Sequence, residues 1–133
     1  MIETTHQMTI RVRYAEVNRL GRLHGSGCAV YLEMGRTEML RATGITYRDL
    51  EAAGAYLVVT RLHIVFHEPA RYDDLLTLET TVTRATSARI DHHYRLLRDG
   101  TLLADADTTL ACVSRVGQVR RIPHSLLKML GVE

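Results

Sequence analysis

The amino-acid sequence predicts an α+β fold, with one long helix on a single face of a five-strand antiparallel sheet. Apolar residues recur at helical spacing over only one long stretch, in the first third of the chain, whereas most later segments alternate as strands do. The links between those later segments are short, which favours antiparallel pairing. A chain of 133 residues is expected to form a single domain, residues 1–133.

The first predicted strand covers residues 8–17, MTIRVRYAEV. Its apolar positions alternate with polar ones through Met8, Ile10, Val12 and Tyr14, which is typical of a half-buried strand. Glycines at positions 21, 25 and 27 then predict a loop.

The predicted helix begins near Ser26. Apolar residues continue at a spacing of three to four as far as Ala42, and Gly44 ends the run. This pattern indicates an amphipathic helix of about five turns. A short helical turn follows, with Thr46 as its N-cap and Gly54 as its stop.

Four further strands and a short closing helix complete the prediction. β-Branched and aromatic residues enrich the strand segments, and Asp99-Gly100 is a strong hairpin signal between the last two of them. The predicted strands span residues 55–67, 75–85, 88–98 and 101–115, and the helix spans residues 122–130.

The composition is that of a globular protein whose positive charge suits an anionic ligand or partner. The alternative is a GC-rich genome, which encodes arginine readily and would account for most of the arginines. Hydrophobic residues make up 46% of the chain and charged residues 24%, with a net charge of +2. Lys128 is the only lysine, so nearly all the positive charge is arginine, whose planar fork suits phosphates and carboxylates. No basic run with interleaved aromatics is present, so nucleic acid is not an expected partner.

The sequence also indicates a cytoplasmic protein without a metal site. Cys28 and Cys112 form no CxxC pair and no cluster at metal-ligand spacing, which favours a reducing compartment. No signal segment is visible, and no apolar run approaches the roughly 20 residues needed to span a bilayer. No membrane association is therefore expected.

Four segments in a fixed order resemble the hotdog-fold acyl thioesterases of the 4-hydroxybenzoyl-CoA thioesterase-like family. The resemblance runs over essentially the full length of the chain and implies hydrolysis of an acyl thioester. It further implies that the long helix is central and wrapped by the five-strand antiparallel sheet. It also implies a homodimer whose sheets join edge to edge, with active sites at the interface, and dimers paired into a homotetramer. The segments are RYAEVNRLG (13–21), GRTEMLRATGITY (35–47), PARYDDLLTLETTV (69–82) and TTLACVSRVGQVRRIP (108–123).

The resemblance also shows departures at the expected active site. The family's catalytic aspartate falls on Asn18, its frequent histidine on Gly25, and its customary aromatic on Cys28. An asparagine can neither accept a proton nor attack a thioester, but it can hydrogen-bond a water or the carbonyl. The thioesterases associated with enediyne and polyene polyketide synthases share this asparagine and a helix arginine, which corresponds here to Arg36.

Asn18 and Arg36 each have an ordinary structural alternative. Asn18 is of a type that favours turns, so it is also a candidate for shaping its own loop. Arg36 lies three residues after Glu33, the spacing of an ion pair on a solvated helix face.

The remaining site residues follow from their position in the motif. The backbone N–H of Gly25 is the implied oxyanion donor, because a helix begins there. His24 is a candidate base, with an exposed loop histidine as the alternative. Cys28 is expected to be a small buried residue rather than a nucleophile. The residues expected to bind substrate are Cys28, Tyr31 and an arginine-rich rim of Arg61, Arg84 and Arg89.

The expected reaction is hydrolysis of an acyl or β-ketoacyl thioester, releasing a polyketide or fatty-acyl product. The donor is an acyl carrier protein or coenzyme A, and no cofactor is needed because the phosphopantetheine thioester belongs to the substrate. The alternative is a non-catalytic hotdog domain that binds acyl thioesters, which the missing carboxylate favours. A dehydratase is a weaker alternative, because that chemistry usually needs an Asp/His pair that the helix entry lacks.

Overall fold

The structure is a computed structural model that describes residues 5–132. In this range the chain forms a mixed arrangement of strands and helices, with a short 3₁₀ turn at Tyr14–Glu16 after the first strand. The elements are β1 (Thr5–Arg11), α1 (Gly25–Arg41), α2 (Tyr47–Ala52), β2 (Tyr56–Phe66), β3 (Leu75–Ala85), β4 (Ile90–Arg98), β5 (Thr101–Val113), β6 (Val119–Arg120) and α3 (His124–Met129).

The strands form one antiparallel sheet in the order β1-β3-β4-β5-β2, and β6 also pairs with β5. The predicted α+β class and the antiparallel pairing are therefore confirmed. The prediction of five strands is wrong, because the sheet has six in the described part of the chain. The extra strand, β6, has two residues and is too short to show any alternation in the sequence.

The first strand ends earlier than predicted. β1 stops at Arg11, and the chain then turns, because the Glu16 carboxylate accepts hydrogen bonds from the backbone N–H of Arg13 at 2.8 Å and from its guanidinium at 2.8 and 3.0 Å. These bonds close a tight 3₁₀ turn. The apolar–polar alternation in the sequence continues through Val12 and Tyr14, but the backbone there is not part of the strand.

The other local predictions are confirmed. Asp99 and Gly100 have φ values of 50° and 82°, as a type I′ hairpin between β4 and β5 requires. Thr46 caps α2, since its hydroxyl accepts from the N–H of Asp49 at 3.1 Å. The closing helix is present as α3.

Helix α1 lies against the sheet through Gly35. A Cβ added at Gly35 would overlap Thr80 Oγ1 and lie 2.8 Å from Leu78 Cδ2, so the α1 backbone touches β3 directly. The prediction of a long central helix wrapped by the sheet is not confirmed. α1 has 17 residues, and its far side, with Val30 and Glu33, is exposed.

The interior contains two apolar clusters with polar side chains between them. The first is built around Leu32, Leu78 and Leu96, and the second around Leu40, Leu110 and Leu126. Strand alternation turns polar residues of β3, β4 and β5 toward α1 at the boundary, where Thr80 pairs with Tyr94 and His92 with Thr108 across the strands. We call this group the polar layer: Arg36, Thr80, His92, Tyr94 and Thr108.

The contact at Gly35 generates a stability prediction. Gly35→Ala should lower the free energy of unfolding by about 1–2 kcal/mol, because overpacking typically costs about 1–3 kcal/mol and the better helix propensity of alanine returns under about 1 kcal/mol. Chemical denaturation would measure the change. The matched control is Gly25→Ala, where the added methyl has no neighbour within 4 Å. Equal stability of the two variants would contradict a tight contact between α1 and β3.

Candidate active site

Asn18 shapes the loop that carries it. Its Oδ1 accepts hydrogen bonds from the N–H of Leu20 at 2.9 Å and of Arg22 at 3.2 Å, and an isolated bridge pairs Val17 with Leu23. Both lone pairs of Oδ1 are therefore engaged within the loop. The amide nitrogen has no protein partner among the described residues, so Asn18 offers a donor and no free acceptor.

The side chain of Asn18 lines a surface pocket of about 270 Å³ at the end of β2. We call it the Asn18 pocket. Its wall combines the Asn18 loop with the connection that follows β2, where Phe66 is 45% exposed. The lining residues are Asn18, Arg22, Leu23, Phe66, His67, Glu68 and Pro69.

His24 is the N-cap of α1. Its Nδ1 accepts from the N–H of Gly27 at 3.1 Å and lies 2.6 Å from Ser26 Oγ. Because Nδ1 acts as the acceptor, the proton of the neutral ring is assigned to Nε2. Neither nitrogen then has a free lone pair, which disfavours His24 as the base. The sequence feature that indicates this capping role is a polar residue directly before the start of a helix.

Gly25 is the first residue of α1. Its N–H has no acceptor within residues 5–132, and the positive end of the helix dipole lies there. Gly25 is exposed, so a substrate carbonyl has access to this donor. The geometry suits an oxyanion donor, as the motif implied.

Cys28 and Tyr31 lie inside the protein. Burial raises the pKa of the Cys28 thiol to about 11, so it is not a thiolate at neutral pH. Tyr31 is fully buried, its hydroxyl donates to Glu16 Oε1 at 2.5 Å, and burial raises its pKa. This bond ties the turn before the Asn18 loop to α1. Neither side chain lines the Asn18 pocket, and Cys28 lines a narrow apolar space.

Arg36 points into the polar layer. Its Nη1 donates to the hydroxyl of Tyr94 at 3.3 Å, and that hydroxyl lies 2.6 Å from Thr108 Oγ1. Burial raises the pKa of Tyr94, and the positive charge of Arg36 opposes this rise. Arg36 makes no ion pair with Glu33 in the described structure, so the alternative of a solvated pair on the helix face is not supported.

Arg36 also lines a pocket of about 250 Å³, which we call the Arg36 pocket. It contains two exposed carboxylates, Glu33 and Glu51, and neither forms an ion pair with another described residue. Sequence reasoning did not assign either to the site, although Glu33 lies one helical turn before Arg36. The lining residues are Glu33, Arg36, Thr37, Tyr47, Glu51, Leu57, Val59 and Leu110.

The two predicted catalytic residues do not meet within one chain. The Asn18 pocket includes Phe66 and the Arg36 pocket includes Val59, at opposite ends of β2. These positions are roughly 20 Å apart along a strand. A site that uses both Asn18 and Arg36 therefore needs a second subunit.

The three arginines of the predicted rim are spread along one row across the sheet, on the face opposite α1. Arg84 of β3 pairs with Asp91 of β4, and Arg61 of β2 pairs with a β5 residue in the same row. Arg89 forms an ion pair with Asp91 at 2.5 Å. The sheet separates this group from the Arg36 pocket, so the arginines do not form a rim around that pocket within one chain.

Acidic side chains on the same outer face are engaged by histidines. His67 Nε2 lies 2.6 Å from Asp105, and His93 Nδ1 lies 2.9 Å from Asp107. Residues 5–132 contain no group of His, Cys, Asp and Glu side chains arranged to hold a metal ion. None of the helices in this range is long and apolar enough to cross a membrane.

His92 is a buried member of the polar layer that the sequence did not single out. It is 6% exposed, its ring stacks on Tyr94 at 5.9 Å, and its Nδ1 has no hydrogen-bond partner among the described residues. Burial lowers its pKa to about 3, and the positive charge of Arg36 also lowers it. The imidazole is therefore neutral at physiological pH.

This shift predicts how stability depends on pH. The pKa of His92 is about 3 when folded and about 6.5 when unfolded, so between these values the unfolded chain binds the extra proton and stability falls as pH falls. From pH 6.5 to pH 5 the loss assigned to His92 is on the order of 2 kcal/mol. Denaturation at both pH values would measure the drop in the free energy of unfolding. In His92→Leu this drop should be smaller than in the wild type by that amount. Parallel losses in both proteins would contradict a buried neutral imidazole.

Comparisons with known proteins agree with this architecture. Residues 12–130 match the family described as the Thioesterase-like superfamily. An acyl-CoA thioesterase of Haemophilus influenzae is 32% identical over 114 residues, which cover 85% of this chain and 84% of the relative. A hypothetical protein from Thermus thermophilus superposes with a TM-score of 0.90 at 34% identity, covering 96% of each chain. A probable thioesterase from Bartonella henselae superposes with a TM-score of 0.85 at 30% identity, covering 90% of this chain and 100% of the other. The chain therefore belongs to the Thioesterase-like superfamily and has the hotdog-type α+β fold.

Proposed function

We propose that the protein hydrolyses acyl thioesters and releases the acyl group from the phosphopantetheine thiol of coenzyme A. The observations that carry this proposal are two unengaged donors, the Gly25 N–H at the start of α1 and the Asn18 amide nitrogen in the loop that precedes it. Such donors stabilise the oxyanion that forms when water attacks a thioester carbonyl. The carbon–sulfur bond then breaks, and the products are a carboxylic acid and a free thiol.

The catalytic unit in this proposal is a homodimer joined through β2. The outer edge of β2 is unpaired in the sheet, and its 11 residues make it a strand that would invite aggregation if left open. The apolar side chains along it are between 37% and 47% exposed. They are Val58, Val59, Leu62, Val65 and Phe66.

Pairing of two β2 strands would also complete the site. In an isologous antiparallel pair with its two-fold axis near Leu62, Phe66 lies beside Val58 of the partner subunit. The Asn18 pocket of one subunit then adjoins the Arg36 pocket of the other. A dimer assembled in this way has two sites, and each takes Asn18 and Gly25 from one chain and Arg36 from its partner.

The proposed roles follow from what each group is able to donate or accept. Asn18 and Gly25 donate to the thioester carbonyl, because the Asn18 acceptor is already engaged in its loop. Arg36 cannot take a proton at neutral pH, so it orients the acyl group and stabilises charge. The water needs a proton acceptor, and the carboxylates of the Arg36 pocket, Glu33 and Glu51, provide it.

A carrier-protein donor is the second candidate. Arg61, Arg84 and Arg89 form a basic group on the outer face, which would complement an acidic acyl carrier protein. The combination of Asn18 and Arg36 supports the resemblance to the thioesterases of polyketide and enediyne pathways. The free cysteines, Cys28 and Cys112, suit the cytoplasm, where such carriers operate.

The first test of function is thiol release from acyl-CoA and from acyl carrier protein. Asn18→Ala should lower kcat/KM by about 10²- to 10³-fold, since loss of one oriented oxyanion donor costs roughly 2.7–4 kcal/mol. Asn18→Asp is the control for the loop, because it keeps the acceptor and should keep the melting temperature. Binding of thioesters without any turnover by the wild type would favour the non-catalytic alternative.

The second test is subunit complementation. Asn18→Ala and Arg36→Ala homodimers should each be nearly inactive, whereas a heterodimer of the two variants contains one intact site and one site with both changes. Co-expression with two affinity tags would isolate the heterodimer, whose activity should reach about half that of wild type. A heterodimer as inactive as its parents would place both residues in the same subunit's site.

The third test identifies the proton acceptor. Glu33→Gln and Glu51→Gln keep the size of each side chain and remove its charge. The variant of the true base should lose about 10²- to 10⁴-fold in kcat together with the acidic limb of the pH profile, because a general base contributes by that factor. If both variants keep the wild-type pH profile, the base lies outside the Arg36 pocket.

A further inference from the structure

The wall of the Asn18 pocket includes a histidine that is paired with a carboxylate. His67 follows directly after β2 and lines this pocket together with Asn18. Its Nε2 lies 2.6 Å from Asp105 Oδ2, and its side chain is 43% exposed. The imidazole is therefore accessible to a molecule that occupies the pocket beside the Asn18 amide.

Strand β5 holds both the backbone and the ring of His67. The N–H groups of His67 and Glu68 donate to the carbonyl of Leu103 at 2.8 and 3.1 Å, and Asp105 lies two residues further along the same strand. Because the main chain and the side chain are bound to one strand, the ring has a defined position. Such preorganisation is what a group that transfers a proton requires.

The contact with Asp105 determines which ring nitrogen remains available. An ionised carboxylate only accepts, so Nε2 of His67 is assigned as the N–H donor. Nδ1 forms no hydrogen bond with any described residue. It is a lone pair in the neutral ring and an N–H in the imidazolium, which the carboxylate stabilises as a counter-charge. In the charged form, Nδ1 is therefore a proton donor that is free for a second molecule.

Several charged groups lie around His67. Asp105 contacts the ring, Glu68 is the next residue in the chain, and Arg22 lines the same pocket. Glu68 and Arg22 form no ion pair with a described residue. Arg95 is the β4 neighbour of Asp105 in the sheet register, but its guanidinium is engaged in another ion pair at 3.0 Å. Negative groups are therefore available to balance an imidazolium in this part of the pocket.

Thioester hydrolysis needs a proton at the sulfur. As water attacks, a carboxylate of the Arg36 pocket takes its proton, and the carbon–sulfur bond then breaks with its electron pair on sulfur. An alkyl thiol has a pKa of about 8.5, so the product binds a proton at neutral pH. The sulfur is attached to the carbon whose oxygen meets Asn18. The Asn18 pocket, at about 270 Å³, is smaller than two benzene-sized cavities of roughly 150 Å³ each, so this sulfur lies close to the wall that includes His67.

We propose that His67 is the catalytic acid that protonates the leaving sulfur through Nδ1, and that Asp105 is the positioning residue that holds its ring. The Nδ1–H bond breaks as the S–H bond forms, and the neutral imidazole regains a proton from solvent after the thiol leaves. The carboxylate releases the proton that it took from water, so the protons balance. This inference rests on the proposed thioester hydrolysis and adds its proton donor.

The first experiment compares two leaving groups. The purified full-length protein is assayed with hexanoyl-CoA and with S-hexanoyl 4-nitrothiophenol, whose thiolate leaves without a proton. His67→Gln should lower kcat for hexanoyl-CoA by about 10²-fold, as loss of a general acid does, and change kcat for the nitrothiophenyl ester by less than about twofold. Equal losses with both substrates would overturn the inference, and so would wild-type activity with both.

The outer face of the sheet offers a matched control. His93 forms the same kind of pair with Asp107, at 2.9 Å, and does not line the Asn18 pocket. His93→Gln should therefore keep both activities. Asp105→Asn should show the pattern of His67→Gln with a smaller loss, because the ring remains but its counter-charge is removed. A loss in His93→Gln as large and as selective as in His67→Gln would reject the assignment.

The pH profile separates the acid from the base. A catalytic acid must carry its proton, so activity falls as pH rises and the imidazolium is lost, in the range where histidine titrates. His67→Gln should remove this basic limb of kcat for hexanoyl-CoA and keep the acidic limb, which is the reverse of the result expected for the glutamate that acts as base. An unchanged basic limb in His67→Gln would contradict a proton donor at this position.

Failure of the proposed function would look different from failure of this inference. If the wild type hydrolyses neither thioester, the hydrolase proposal fails and the role of His67 is rejected with it. If the wild type hydrolyses both and His67→Gln shows no selective loss with hexanoyl-CoA, the hydrolase proposal stands and only the assignment of the acid is rejected.

Discussion

The close contact between α1 and β3 at Gly35 is the constraint on which the rest of the structure depends. Because no side chain stands between the backbone of the helix and Thr80, α1 lies deep enough for Arg36, the next residue, to reach Tyr94 on β4. A larger residue at position 35 would lift the helix and draw the guanidinium away from the sheet. The depth at which α1 packs therefore also sets the position of the Arg36 charge.

That arrangement introduces polar groups where a small protein would otherwise place a continuous apolar core. The polar layer divides the interior into two clusters, and each of its members must be desolvated. Tyr94, Thr108 and Arg36 offset this cost by bonding to one another, whereas Thr80 Oγ1 and His92 Nδ1 have no partner in the described chain. The desolvation cost of these two buried atoms is therefore not offset by a hydrogen bond within the described chain.

The asparagine at position 18 is best understood through its hydrogen bonds. Its carbonyl oxygen holds two backbone N–H groups and stabilises the loop, while its nitrogen is left for another molecule. A structural role and a functional role are therefore compatible, because they use different ends of one amide. In the proposed mechanism Asn18 therefore supplies a donor, and the proton acceptor comes from elsewhere in the site.

The sequence by itself determined the α+β class, the helix beginning near Ser26, the Asp99-Gly100 hairpin and the motif that marks Asn18, Gly25 and Arg36. The class, the helix and the hairpin are local features, since periodicity, caps and turn residues lie in neighbouring positions. The three site positions follow from the resemblance to a known family. The tertiary structure decided what depends on distant segments. It buried Tyr31 against Glu16, placed the three arginines on the outer face of the sheet, and put His92 and Arg36 in the wall of one small space. It also separated Asn18 from Arg36 along β2, because only the packing of the sheet sets which side chains share a space.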